Sequence, residues 1–214
     1  MKALKKSLAL VFMSLALVFA ATVVVNTASP VTVQAATPTK AQLQKKCDTI
    51  IEKQTKPEDS KTAKLKKLFN YMRKTCKYGN CATHPNYKVP KATDTKWHIA
   101  YGYETLTKKT GDCYHFAAAY AALAERATGL KTRIVTGTTT GFDSKRKTSQ
   151  KHAWVEVAIS GKWYIYDVNM DLYGKTTKNK ANPAYTCYKL LRTDAAVKKL
   201  YGSYKGITNF AVDL

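Results

Sequence analysis

The chain has 214 residues, a mass of 23.8 kDa and a formal charge of +22 at neutral pH. That length suits one ordinary domain, and a hydrophobic content of 45% with fourteen tyrosines excludes a disordered body. The positive charge points to anionic surfaces such as cell-wall polymers or acidic substrates, but the lysines are dispersed over a solvated surface and no nucleic-acid motif accompanies them.

The first 35 residues read as a signal peptide. Lys2, Lys5 and Lys6 precede an apolar run from Leu8 to Val25, interrupted only by Ser14 and Thr22. A polar stretch with small residues follows, ending in Val33-Gln34-Ala35-Ala36. An uncleaved anchor is the competing reading, because the run is almost long enough to span a bilayer. Either way the body is expected outside the membrane, secreted or at the cell surface. Residues 36–59 are expected as an N-terminal helical segment and residues 60–214 as the main domain.

Thr37 to Gln54 carries Leu43, Cys47, Ile50 and Ile51 at helical spacing. A break at Lys56 to Ser60 leads to a second helix, about Ser60 to Lys77, whose stripe of Leu65, Leu68, Phe69 and Met72 reads as core. Tyr78 to Lys96 is a polar loop with Pro85 and Pro90, and Trp97 to Thr107 is a short helix. Cys113 to Thr128 is alanine-rich and strongly helical, with Asp112 as its cap and Gly129 as its stop. The period then changes to two. Lys131 to Thr138, His152 to Ile159 and Lys162 to Val168 read as strands, with Ser160-Gly161 as a two-residue hairpin turn. The polar loop Thr139 to Lys151 is expected near the cleft, and the tail holds one more helix near Ala195 to Tyr201.

Five cysteines, at 47, 76, 81, 113 and 187, leave one unpaired if the other four form two disulfides. Three pairings are open, with Cys113 as the free thiol. Zinc held by Cys76, Cys81 and His84 is an alternative that the spacing fits poorly. No cofactor or metal is expected.

Cys113 opens a helix directly after Gly111-Asp112. A helix N-terminus favours a thiolate, and thiols so placed fall below their free pKa of about 8.5, especially beside a histidine. If Ser160-Gly161 is the turn, Ile159 faces Lys162, Trp154 faces Asp167 and His152 faces Asn169. His152 and Asp167 are then diagonal neighbours on one side of the hairpin, where the carboxylate can orient the imidazole toward a nucleophile. A one-residue slip would separate them. Taken singly, an inert buried cysteine, a structural strand histidine and a strand-end aspartate acting as a cap are the plainer alternatives. His115 points away from Cys113 as a packing or surface residue, and His84 and His98 show no obvious partner.

Jointly, these residues resemble the transglutaminase-like core. The resemblance rests on Lys109-Thr110-Gly111-Asp112-Cys113, on the helix end and strand from Thr128 to Gly137, on Lys151-His152-Ala153-Trp154-Val155-Glu156-Val157, and on Gly161 to Val168. It covers about residues 60–172, and the preceding helices resemble those of exported bacterial members. It implies an α+β, papain-like fold in which the cysteine-bearing helix packs on an antiparallel sheet behind N-terminal helices. It also implies that Cys113 attacks a carboxamide or peptide carbonyl, that His152 shuttles protons and that Asp167 orients His152. The acyl group then passes to water or to an amine, with hydrolysis slightly favoured. The Cys113 N–H would serve the oxyanion, with Trp97 and Tyr103 as candidate second donors. Val168-Asn169 stands where the family usually has Pro-Thr, which leaves the substrate class open. No calcium requirement is implied, because the chain has no room for the extra domains of the large animal enzymes. A non-catalytic basic wall-binding or scaffold protein that keeps the fold is the competing reading. Wall-peptide endopeptidases and arylamine acetyltransferases share the triad order, but the His152 to Val157 segment favours the transglutaminase-like family.

Overall fold

The computed structural model of the protein describes residues 37–79, 96–142, 148–176 and 187–209, with backbone alone at 174–176 and 203–209. The expected signal peptide, most of the 78–96 loop with Cys81 and His84, and residues 143–147 of the 139–151 loop lie outside the described residues. Residues 36–214 cluster as one unit.

Side-chain caps set the starts of the first helices. In α1 (Lys40–Gln54) the Thr39 hydroxyl accepts from the Gln42 N–H and the Thr39 N–H donates to Gln42 Oε1, a reciprocal capping box. In α2 (Lys61–Thr75) the Ser60 hydroxyl accepts from the Ala63 N–H. The stripes expected from helical spacing are the ones buried: Leu43, Cys47 and Ile50 on α1, and Leu65, Leu68, Phe69 and Met72 on α2. Burial of each large side chain is worth about 2 kcal/mol. The two-residue strand β1 (Lys77–Tyr78) follows, then α3 (Trp97–Lys108). Strand β2 (Thr110–Gly111) pairs in parallel with β1, Lys77 opposite Thr110 and Tyr78 opposite Gly111.

Helix α4 (Cys113–Thr128) occupies the centre, against α1, α2 and α3 and against the sheet. Its alanines from Ala118 to Ala124 are fully buried and let the neighbours approach closely. The helix starts behind the Asp112 cap and stops at Gly129, as its sequence predicts.

The main sheet has the order β6-β5-β4-β3-β7 and every pair is antiparallel. It comprises β3 (Thr132–Thr139), β4 (Gln150–Ile159), β5 (Lys162–Tyr166), β6 (Leu190–Leu191) and β7 (Tyr201–Asn209). The β4–β5 turn has positive φ at both Ser160 (48°) and Gly161 (76°), the conformation that matches strand twist. Ile159 pairs with Lys162 and the ladder runs to Val155 opposite Tyr166, in the predicted register.

Alternation sorts the strand residues into two layers. Ile134, Ala153, Val155, Val157 and Tyr166 join the helix-side core, while Val135, Trp154 and Ile165 join a second cluster with Met170, Cys187, Leu200 and Tyr201. The fold is α+β, a cysteine-bearing helix packed on an antiparallel sheet behind N-terminal helices.

Several expectations need correction. Strand β5 ends at Tyr166, not Val168. Asp167 turns the chain into α5 (Val168–Thr176), so Asn169 lies on a helix and not opposite His152. The tail helix α6 (Ala195–Leu200) exists but leads into β7, which pairs with β3. Of the two roles expected for His115, packing holds: it is wholly buried, its ring stacked on Tyr101 at 4.1 Å. Cys47, Cys76 and Cys187 are free buried thiols, as is Cys113, so the two-disulfide scheme does not hold.

Candidate active site

Gly111, Asp112 and Cys113 are held by contacts on both sides. The Asp112 carboxylate accepts from the His115 N–H (3.1 Å) and meets the His115 Nδ1 atom at 2.7 Å. The other His115 nitrogen lies 3.7 Å from Glu104 on α3. A Cβ on Gly111 would overlap that of His115, so only glycine allows this close approach. Cys113 therefore starts α4 from a clamped turn, with 8% of its surface exposed.

His152 lies near the start of β4, opposite Gly137 of β3. The pairing of β3 with β7 shifts register on both sides of Gly137, and such bulges re-aim neighbouring side chains. The His152 ring sits edge-on to Phe142 at 4.9 Å. Its Nε2 meets Asp167 Oδ2 at 2.6 Å, although the strand ladder stops one residue short of Asp167. Asp167 also caps α5: its Oδ1 accepts from the Met170 N–H (3.0 Å) and its carbonyl from the Asp171 N–H (3.1 Å). Two roles that the sequence set against each other, helix cap and histidine partner, belong to one carboxylate.

The Tyr201 hydroxyl donates to the same Asp167 Oδ2 at 2.9 Å. Sequence reasoning missed Tyr201, which it placed at the end of a helix and not at the head of a strand. Burial drives the His152 pKa down, but the Asp167 charge and hydrogen bond, helped by the Cys113 thiol, push it up to about 10. The Nδ1 atom of His152 is buried and, among the described residues, meets no hydrogen-bond partner other than what the Cys113 thiol offers. The Cys113 thiol is near enough to bear on the imidazole.

Cys113 and His152 open into one cavity of about 600 Å³. Cys76, Lys77 and Tyr78 line it from the β1 segment, Gln150 and Lys151 from β4, and Asn169, Leu172 and Tyr173 from α5. Phe142 completes the lining, its ring against Tyr173 at 5.0 Å. The 139–151 loop thus reaches the cleft at both described ends. Trp97 and Tyr103, the expected oxyanion donors, are not among the lining residues. Trp97 is buried against Tyr101 and Tyr114, and Tyr103 packs on the helix-side core. The β1 segment had no hydrophobic period to reveal it, and its place at the cleft follows from the parallel pairing with β2 beside Cys113. Glu156, in the motif after His152, is structural: Arg133 (2.6 Å), Arg192 (3.3 Å) and the Trp154 indole (3.1 Å) hold it. Among the described residues no group of His, Cys, Asp and Glu side chains could hold a metal ion.

The family model of the transglutaminase-like superfamily matches residues 48–168, more than half of the chain. The chain belongs to the transglutaminase-like superfamily. The matched span runs from α1 to the residue after Asp167 and includes Cys113, His152 and Asp167, while Tyr201 lies beyond it. No curated protein matches the sequence. Two solved structures are similar at low identity. One is described as a candidate cysteine protease from Cytophaga hutchinsonii (18% identity, TM-score 0.43, 80% of this chain). The other is a TGase (20% identity, TM-score 0.46, 70% of this chain). The chain spans 52% of the first and 37% of the second. Within the superfamily, members are usually cysteine peptidases or acyltransferases.

Proposed function

We propose that this transglutaminase-like protein is an exported thiol enzyme that acts on peptide or glutamine amide bonds through a cysteine acyl-enzyme. One observation carries the reading: Cys113 and His152 line one cavity, and His152 Nε2 is hydrogen-bonded to Asp167 at 2.6 Å. A nucleophile, a base and an orienting carboxylate in that order form the arrangement that nucleophilic catalysis requires.

In the proposed reaction the Cys113 sulfur, its proton held by His152, attacks the amide carbon. The C–S bond forms as the carbonyl π bond opens to an oxyanion, with the Cys113 N–H as one donor. The oxyanion collapses, the C–N bond breaks, and the His152 imidazolium delivers its proton to the leaving amine or ammonia. Water or an amine then attacks the thioester, His152 takes its proton, and the thiolate leaves. Asp167 keeps the imidazole in one tautomer throughout. Hydrolysis is slightly favoured over cross-linking, and the basic surface suits work near anionic wall polymers outside the cell.

The test is iodoacetamide labelling of the folded mature protein across pH 4 to 9, with Cys113→Ala and His152→Ala as comparisons and mass spectrometry to locate the label. Burial raises the pKa of Cys47 to about 12 and raises those of Cys76 and Cys187, so these thiols are expected to label slowly. Labelling at Cys113 faster than at a free thiol, and lost in His152→Ala, is expected. Labelling at the rate of an ordinary thiol would sink the reading and favour a non-catalytic wall-binding protein.

A further inference from the structure

The described residues that line the cleft carry charge of one sign. Among the described residues, the charged side chains lining it apart from His152 are Lys77 and Lys151, and no described Asp or Glu lines it. Both lysines are exposed. Lys77 lies on β1, its N–H bonded to the Lys109 carbonyl in the segment that leads into Cys113. Lys151 directly precedes His152 on β4. The two cations therefore reach the cavity from the strand beside the nucleophile and from the strand that carries the base.

Among the described residues the buried or half-buried carboxylates are engaged elsewhere, Asp48 with Arg126, Asp59 with Lys67, Glu104 with Lys108, Asp112 with His115, Glu156 with Arg133, Asp167 with His152 and Asp171 with Arg73, except Glu125, which lies on α4 and does not line the cleft. Neither Lys77 nor Lys151 makes an ion pair with a described residue. The rest of the lining is largely apolar, with Tyr78, Phe142, Leu172 and Tyr173. An apolar slot with a cationic rim binds an acyl group that carries its own negative charge, and the low-dielectric walls concentrate the field of the two ammonium groups.

We propose that the cleft selects amide substrates with a carboxylate close to the scissile bond, and that Lys77 and Lys151 hold that carboxylate. This rests on the thiol-enzyme reading and names its substrate class. The carboxylate stays unreacted. It aligns the neighbouring carbonyl over Cys113, and a neutral substrate of the same shape lacks that anchor.

The probes are iodoacetate and iodoacetamide, nearly equal in size and different in charge. The ratio of their rates at Cys113 is measured at low salt in wild type, in Lys77→Gln/Lys151→Gln and in Lys45→Gln/Lys53→Gln. The last pair removes the same charge from the exposed face of α1. The His152 imidazolium favours the anion in all three proteins, so changes in the ratio report the lysines alone. The ratio is expected to fall on the order of tenfold in the cleft variant and to stay at the wild-type value in the α1 variant. An unchanged ratio, or an equal fall in both variants, would overturn the proposal. The thiol-enzyme reading stands or falls separately, on the absolute iodoacetamide rate of wild type. Competition against iodoacetamide then separates the sources of the carboxylate. Protection by N-acetyl-alanyl-glutamate amide marks an acidic side chain, and protection by N-acetyl-alanyl-alanine a free C-terminus. Protection by neither beyond N-acetyl-alanyl-alanine amide counts against a carboxylate subsite.

Discussion

Replacing Asp167 with Asn tests whether the carboxylate charges His152. The substitution is chosen to spare the fold, because Asn can still accept the Met170 N–H and cap α5. It removes the negative charge 2.6 Å from His152 Nε2. The histidine pKa is raised from 6.5 to about 10 in the folded protein, against a burial effect that pulls it down. A histidine raised in the folded state adds stability that is fully present below its unfolded value and lost as pH rises through the folded value. With those two values and about 1.36 kcal/mol per unit, the contribution is roughly 4–5 kcal/mol at pH 6. It falls to about 3 kcal/mol at pH 8 and to well under about 1 kcal/mol at pH 10. Without Asp167 only the Cys113 thiol opposes the effect of burial, so the charged form of His152 loses its main support. Urea unfolding of wild type and Asp167→Asn at pH 6, 8 and 10 should therefore show a stability gap that closes as pH rises. A gap of constant size would refute the reasoning, because the lost interaction would then be indifferent to the charge on His152. A gap that widened with pH would reverse its sign.

Two further substitutions probe the supports of the site. Tyr201→Phe removes the hydroxyl that donates to Asp167 Oδ2 at 2.9 Å. With one donor fewer, the carboxylate acts more strongly on the imidazolium, so the His152 ring should titrate at higher pH in ¹⁵N-histidine NMR. A lower titration point would show that the hydroxyl positions the pair instead. Asp112→Ala removes the cap of α4 and the partner of His115, which should cost about 1–2 kcal/mol in thermal unfolding. It should also slow Cys113 labelling, and an unchanged labelling rate would show that the clamped turn does not set the thiol's position.

Much of this arrangement was readable from local signals. Asp112 and Gly129 mark the two ends of α4, because a carboxylate cap and a left-handed glycine (φ 62°) act within a few residues of themselves. The Ser160-Gly161 turn set the β4–β5 register for the same reason. What escaped depended on distant partners. In β7 the sequence from Tyr201 to Asn209 contains two glycines and little apolar alternation, and its strand state comes from pairing with β3 more than sixty residues earlier. Tyr201 escaped with it. The β1 segment reaches the cleft by pairing with β2, across the whole of α3. The end of β5 was a different error. Asp167 is a good helix cap, and its role beside His152 was argued from an extended strand that the cap itself terminates.

That error explains why the pair is well placed. An aspartate inside a strand would be held by its backbone ladder and have a free side chain. At a helix start both parts are tied: the Asp167 N–H to the Cys187 carbonyl (2.8 Å), its carbonyl to the Asp171 N–H, and one carboxylate oxygen to the Met170 N–H. The other oxygen is left with Tyr201 and His152. Cys113 is set in the same way, as the first residue of a helix behind a doubly bonded cap. Each of these groups draws its position from an element terminus, where backbone bonds and side-chain caps act together and little rotational freedom remains. The freedom left in the constellation lies in the Cys113 thiol and on the Nδ1 side of His152. Cys113 and His152 both line the cavity, where the proposed reaction brings the substrate carbonyl.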